Sequence, residues 1–439
     1  MKVGIISLGC AKNLVNTEQM MFLLNRAGYK VTGDISNANM VILNTCGFID
    51  SAKSEAIENI IELEELKHRG DIDKIIIAGC LPERYKKEIL NEFPGIDAVV
   101  GTGAFDDIVS VADHIYDKNR NKKKEFYGNI NAPVSETERI ITTSPAWAYL
   151  KIAEGCDNNC AYCVIPSIRG RYRSRPMDNI INEAQKLASK EIKELIIIAQ
   201  DVTIYGVDLY KTRKLAELLE ALCAIEGIKW IRLHYLYPDE IDDNFIDFIS
   251  RHDKILKYID IPIQHINDDI LMRMNRRGSS GKIRTLINDL RTRIPEIVLR
   301  TSIITGLPNE TEKEFSQLCD FLIKTKIERV GIFPYSPEEG SLAAEMERPD
   351  TDIAIKRAQI LTDMQSQIMD NYDLSRVGSE VQVLIEGRNE DGTYYGRSYA
   401  ESPDIDGYII VTGEDVKIHG FSNVCITEAA DSLLRGVTV

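Results

Sequence analysis

The sequence predicts an α/β protein in three parts: an N-terminal α/β domain on a parallel sheet, a central partial βα barrel of six units, and a small, OB-like antiparallel β-barrel at the C-terminus. Three observations carry this. Over the first third of the chain, apolar strands alternate with helical segments, the pattern of a parallel sheet with helices on its faces. The alternation pauses in a polar stretch and resumes for six more strands. Over the last 65 or so residues, helix patterns vanish and short strands follow one another between Gly, Asp and Asn. The expected boundaries are 1–117, a linker over 118–143, 144–372 and 375–439.

In the first part KVGIISLGC, ANMVILNTCG and DKIIIAGC are β-branched and apolar, and each stops at Gly and Cys. NTEQMMFLLNRAG, closed by Gly28, and SAKSEAIENIIELEELKHRG read as the helices between them. The stretch from about Asp117 to Ser144 is rich in Lys, Asn, Ser and Thr and reads as a linker. AYLKIAEG, ELIIIAQD, WIRLHYLYP, YIDIPIQH, LRTSIITGLP and RVGIFPYSP are the six barrel strands. Six units are three-quarters of the eight-unit barrel, whose ligands bind at the carboxyl ends of the strands. EVQVLIEG, TYYGRS, GYIIVTG, VKIHGF and NVCITEA are the strands of the small barrel.

Composition narrows the function. In 439 residues, 44% are hydrophobic and 28% charged, a soluble enzyme's profile. The first residues read as a strand rather than a signal peptide, and no run approaches the ~18 apolar residues of a membrane span. A cytoplasmic location with no membrane partner is the expectation. Nine cysteines in a reducing compartment point to metal binding or catalysis rather than disulfides. The net charge of −15 argues against a broad nucleic-acid surface and suits a basic protein partner. Two basic runs remain: Asp117 to Glu125, read as a solvated loop, and RGRYRSRP, with Arg169, Arg171, Arg173 and Arg175 at alternate positions. The second is open between a solvated loop and a functional patch, because it directly follows a cysteine motif.

That motif is EGCDNNCAYC. Its cysteines, Cys156, Cys160 and Cys163, lie within eight residues, just after the first barrel strand. Three thiolates on a compact loop suit a four-iron cluster with one iron left open, and an open coordination position marks a reactive site. Structural zinc needs a fourth ligand, and its usual spacings are absent. Cys10, Cys46 and Cys80 each end an apolar strand, 36 and 34 residues apart, one βα unit each. They therefore fall at the carboxyl edge of one parallel sheet, where loops converge, and can hold a second cluster. Cys223, Cys319 and Cys425 read as packing residues, the usual state of a buried thiol.

CxxxCxxC after the first strand of a partial barrel resembles the radical S-adenosylmethionine enzymes. That resemblance implies that the open iron chelates the methionine amino and carboxyl groups of S-adenosyl-L-methionine. It implies Tyr162 beside the adenine and Gln200 at the methionine amino group, with Gln264 a weaker candidate contact. Ordinary strand-end capping is the alternative for both glutamines. TGLPNETEKEF contains a capping box, Thr311 with Glu314, and reads as a helix start.

With three dispersed cysteines before the barrel and a small barrel after it, the whole chain resembles the methylthiotransferases, and the six cysteines match position by position. Two 4Fe-4S clusters and S-adenosyl-L-methionine are the implied cofactors. One branch, MiaB, modifies adenosine in tRNA; the other, RimO, modifies an aspartate β-carbon of ribosomal protein S twelve. SLGCAKNLVNTE, CAYCVIPSIRG and the SRP that follows resemble the RimO pattern. Asn16 is a departure, standing where an acidic residue is expected. The final barrel resembles the TRAM domain. From Arg376 onward it has five basic residues against eleven acidic ones, the wrong sign for RNA and the right one for a basic ribosomal protein. Expected partners are thus ribosomal protein S twelve, free or in the small subunit, and a reductant protein; tRNA is disfavoured. The alternatives are a MiaB-like tRNA methylthiotransferase, revealed by salt-dependent tRNA binding, and an iron–sulfur carrier, revealed by absence of S-adenosylmethionine cleavage.

Overall fold

The computed structural model describes residues 1–117, 124–430 and 433–439. Most of the basic run Asp117–Glu125 lies outside them. The chain divides into two compact units. One comprises Met1–Thr142, Lys151–Asn179 and Ser336–Ala344; the other comprises Thr143–Leu150, Ile180–Tyr335 and Glu345–Val439.

The first unit is built on a six-stranded parallel sheet, in the order Lys30–Thr32, Lys2–Ser7, Met40–Thr45, Lys74–Gly79, Ala98–Val100, Glu125–Phe126. Met40–Thr45 is buried throughout. Side chains alternate between faces along a strand, so its apolar run serves two cores at once. Met40 and Ile42 join Val3, Met20, Leu24 and Ile76 on one side. Val41 and Leu43 join Ala56, Ile60, Leu63, Ile75 and Ile77 on the other. The helices Ala11–Arg26 and Asp50–Arg69 supply the covering residues. The stretch read as a linker is only partly one. Glu125–Phe126 is a strand of the sheet, and Arg139 pairs with the buried Glu18 while the Thr142 backbone N–H donates to it at 2.7 Å. Polar composition alone concealed these contacts, because their partners lie far away in sequence.

The second unit holds a six-stranded sheet in the order Trp147–Lys151, Glu194–Ile198, Trp230–Leu233, Ile255–Asp260, Val298–Thr305, Arg329–Pro334. All six expected strands are present in chain order, which makes an open partial barrel. The capping box on Glu312–Thr325 is formed as expected. After the helix Thr351–Ser375, a closed five-stranded barrel surrounds Val383, Ile385, Ile409, Val411, Val424, Ile426 and Leu434.

Two details of that barrel differ from expectation. VKIHG is a turn, with His419 at φ +61° and the Gly420 N–H donating to the Lys417 carbonyl at 3.0 Å, and Phe421 opens the next strand. The fifth strand is Leu433–Thr438, and it pairs parallel with Ile409–Thr412, so the barrel is not wholly antiparallel. Two of its five basic residues are buried in ion pairs. Arg397 pairs with Glu386 and, at 2.8 Å, with Glu194; Arg376 pairs with Glu401. Its exposed charge is therefore dominated by acids such as Glu380, Glu390, Asp391, Glu414 and Asp415. No helix among the described residues is long and apolar enough to cross a membrane.

Candidate active site

Cys10, Cys46 and Cys80 stand at the carboxyl ends of three neighbouring parallel strands. Cys10 caps the helix Ala11–Arg26, Cys46 follows Thr45 directly, and Cys80 opens the helix Cys80–Tyr85. Glycines let these ends close on one another. A Cβ on Gly9, at φ +85°, would sit 2.6 Å from the Cys46 Cβ, and one on Gly47 would sit 2.8 Å from the Leu81 Cα. Hence each of these two turns joins a cysteine to a glycine: only a residue without a side chain leaves room for the Cys46 side chain at Gly9 and for the Leu81 backbone at Gly47.

The three thiols are near enough to feel one another's charge. Burial pushes Cys46 up to about 12, and negative charge at Cys80 and Cys10 adds to the rise. Cys80 is raised by burial and by Cys10, against the pull of Arg169. At Cys10 burial also raises, but Lys12, Arg169 and the backbone N–H groups of Asn13 and Lys12 outweigh it, so the net shift is downward. Among the described residues, no three His, Cys, Asp or Glu side chains converge tightly enough to hold a single metal ion. The three donors are all sulfur, the donor set that iron–sulfur clusters take.

Polar side chains brace these strand ends. Asn13 Nδ2 donates to the Leu8 carbonyl at 2.7 Å, and Asn44 Nδ2 donates to the Asn13 carbonyl at 3.0 Å. Arg84 donates to the Gly47 carbonyl at 2.9 Å and to the buried Glu338 at 2.6 Å, and Lys53 reaches the same carboxylate at 3.0 Å. An Asn inside the apolar run MVILNT was the visible signal for Asn44. Asn13 was legible only as part of a family signature, and the partnership of Arg84 with Glu338 carried no local signal.

The Cys156, Cys160 and Cys163 loop belongs to the same compact unit. The Cys156 N–H donates to the Gly170 carbonyl at 3.1 Å and the Cys163 N–H to the Cys160 carbonyl at 3.0 Å, so the loop folds back on itself. Cys160, Cys163 and Tyr162 are half-buried, and Cys156 is buried. Val164 and Ile168, just after the loop, pack on Cys80. The segment that follows the loop thus lies against a residue of the dispersed triad.

The basic run after the loop is not a surface patch. Arg169 is 3% exposed. Arg175 is buried and pairs with Glu136 at 2.6 Å, and Arg171 is exposed and pairs with Asp157 at 2.7 Å. In the second unit, Gln200 follows the strand Glu194–Ile198 and is half-buried. Gln264, at φ +70°, continues beyond Ile255–Asp260 and forms an isolated parallel bridge with Ile303. Both glutamines stand at carboxyl ends of barrel strands. Cys223, Cys319 and Cys425 are half-buried rather than core residues.

Three family descriptions match the chain: Uncharacterized protein family UPF0004 over residues 2–101, Radical SAM superfamily over 150–322 and TRAM domain over 377–439. The ribosomal protein uS12 methylthiotransferase RimO of Acetivibrio thermocellus is 47% identical over 447 residues, covering 100% of this chain and 98% of that protein. The protein of the same name from Clostridioides difficile is 44% identical, covering 99% and 98%. Among solved structures, the radical S-adenosylmethionine methyltransferase TsrM from Kitasatospora setae matches with a TM-score of 0.58 at 15% identity, covering 76% of each chain. At that identity the likeness is one of fold.

Proposed function

Because the chain belongs to the RimO family of methylthiotransferases, and is a radical S-adenosylmethionine enzyme by that membership, we propose that it transfers a methylthio group to an aspartate β-carbon of ribosomal protein S twelve. The observation that carries this reading is the gathering of Cys10, Cys46 and Cys80 at three neighbouring strand ends, with Val164 and Ile168, just after the CxxxCxxC loop, packed on Cys80. We assign one 4Fe-4S cluster to Cys156, Cys160 and Cys163 and a second to Cys10, Cys46 and Cys80. Tyr162, Gln200 and Gln264 are the proposed contacts of S-adenosyl-L-methionine. When bound, these groups supply the one-electron and hydrogen-abstraction chemistry that an unactivated C–H bond demands and acid–base side chains lack.

The chain's own residues hold and shield. Six thiols serve as ligands in their thiolate form. Burial of Cys80 and Cys156 and the apolar packing of Val164 and Ile168 limit water at both sets. Buried cations at Lys12 and Arg169 offset the thiolate charge. The small barrel presents an exposed surplus of acidic side chains, with Arg376 and Arg397 paired internally. That surface complements a basic ribosomal protein and disfavours tRNA, whose binding calls for a basic groove. The domain division 1–117, 144–372 and 375–439, with 118–143 joining the first two and adding a strand to the first sheet, the cytoplasm as location and a separate reductant protein complete the reading.

The test uses anaerobically reconstituted protein with reductant, a sulfide source and S-adenosyl-L-methionine, offered ribosomal protein S twelve and tRNA in parallel. The expected result is one methylthio group gained on an aspartate of the protein, with tRNA unchanged. Modified adenosine in tRNA and an unaltered protein would overturn the reading.

A further inference from the structure

Arg169 follows Cys163 by six residues and is nonetheless enclosed by groups from the other cysteine set. Its Nη2 donates to Cys80 Sγ at 3.3 Å and to Asn13 Oδ1 at 3.0 Å. Its Nη1 donates to Asn16 Oδ1 at 2.8 Å and, more weakly, to Glu154 Oε1 at 3.4 Å. The guanidinium also lies over the Phe105 ring, 5.8 Å from its centroid. Two amide oxygens and a carboxylate therefore fix the plane of the fork, and one N–H is left aimed at a thiol.

We propose that Arg169 is a positioning residue for the Cys10, Cys46 and Cys80 cluster: it orients the Cys80 ligand and raises the cluster's reduction potential through a buried N–H···S hydrogen bond. This rests on the reading that those cysteines hold a cluster. The sign follows from charge. Reduction adds one electron to the cluster and its sulfur ligands. A buried cation hydrogen-bonded to a ligand sulfur favours the more negative state, and hydrogen bonds to sulfur, net charge and solvent exposure are the means by which proteins set such potentials. Burial keeps the interaction strong, because little solvent screens it.

The surrounding charges leave that pull largely uncancelled. Glu154 is the carboxylate nearest Arg169 among its bonded partners, and it also accepts from the buried Lys151 at 2.9 Å. Two buried cations thus share one carboxylate. At Asn16, where the family resemblance leads one to expect an acid, a neutral amide accepts the shorter bond. The remaining positive charge faces sulfur. Arg169 thus bonds a cysteine from within RGRYRSRP, which favours the functional reading of that run over a solvated loop.

The experiment uses the full chain with Cys156, Cys160 and Cys163 all replaced by Ala, reconstituted anaerobically, so that any cluster belongs to the dispersed triad. Iron content is measured, and the midpoint potential is read by electron paramagnetic resonance during a redox titration. Into this parent go Arg169→Gln, Arg169→Lys and Asn16→Asp. The expected result for Arg169→Gln is a more negative midpoint, with the reduced-to-oxidised ratio at the parent's midpoint falling about tenfold, equivalent to 59 mV for one electron. Arg169→Lys should recover part of that shift. Asn16→Asp, almost identical in shape, should move the midpoint the same way by less. Should Arg169→Gln bind no iron, Asn16→Asp and Arg169→Lys decide. Variants that bind iron and titrate at the parent's midpoint would overturn the proposal. A parent that binds no iron would instead overturn the cluster reading beneath it.

Discussion

The two cysteine triads present the same three thiols and are built in opposite ways. Cys156, Cys160 and Cys163 lie within eight residues, on a loop closed by its own backbone hydrogen bonds. Cys10, Cys46 and Cys80 come together only once three parallel strands are in register, Ser7 beside Asn44 and Thr45 beside Gly79. The first is a local site and the second a tertiary one. Local sites withstand distant change, because their ligands are held by neighbours in the chain. Tertiary sites depend on every contact that fixes the strand ends, and here those contacts are glycines, asparagines and a buried arginine. The difference teaches that two triads of equal thiol count can differ widely in vulnerability.

Direct removal of a ligand should separate the triads most sharply. Cys156→Ala should abolish cleavage of S-adenosylmethionine, and methylthiolation with it. Cys80→Ala should abolish methylthiolation while cleavage of S-adenosylmethionine persists. Iron content should fall to about half in each, since each variant spares the other set of ligands. Quantifying 5′-deoxyadenosine alongside product checks both. Continued cleavage by Cys156→Ala would reverse the assignment of roles.

A larger residue at Gly9 should break the tertiary site alone. Valine there would force a β-branched residue to φ +85° and press its Cβ against Cys46. The backbone strain alone costs on the order of 1–3 kcal/mol. The dispersed triad should lose most of its iron, and the loop triad should keep its own. Iron analysis in the Cys156/Cys160/Cys163→Ala background, compared with the otherwise unaltered chain, reads the two separately. Equal loss from both would mean that the triads are not independent.

Asn13→Ala should produce a milder form of the same effect. It removes the bond to the Leu8 carbonyl and one acceptor of Arg169. Leaving those buried groups unpaired costs on the order of 1–3 kcal/mol. Weaker iron retention at the dispersed triad, with no change at the loop, is the expected outcome in a chelator challenge. Unaltered retention would show that Gly9 and Gly47 alone set the strand ends.

The same contrast explains what the sequence made legible. The loop motif was plain because its cysteines are close in the chain and their spacing is itself the signal. The dispersed triad was legible for a different reason: strand periodicity placed each cysteine at the same edge of one sheet, so topology stood in for proximity. Arg169 was not, because its partners Asn13, Asn16 and Cys80 lie far from it in sequence, and alternate arginines read equally well as a solvated loop. The strand Leu433–Thr438 was missed beside the turn in VKIHGF. Both segments mix apolar residues with a basic one around an internal Gly, and only the barrel's closure favours the later one. Tertiary context, rather than residue type, decided each of these.

The smallest effect is expected in the second unit, at a residue that conserves its role on local grounds alone. Thr311 Oγ accepts from the Lys313 N–H at 3.3 Å, and the Glu314 carboxylate accepts from the Thr311 N–H at 3.1 Å, closing the capping box on Glu312–Thr325. The neighbouring Glu310 is buried instead, pairing with Arg357 at 2.8 Å and accepting from the Gly306 N–H at 3.0 Å. One short stretch thus holds a solvent-facing cap and an interior ion pair. Thr311→Ala should remove the cap alone and cost about 1 kcal/mol of stability. Denaturant unfolding of the apo-protein should register that loss, while iron content of both triads and cleavage of S-adenosylmethionine stay unchanged. A fall in cleavage with iron intact would move Thr311 out of the helix start and into the binding of S-adenosylmethionine.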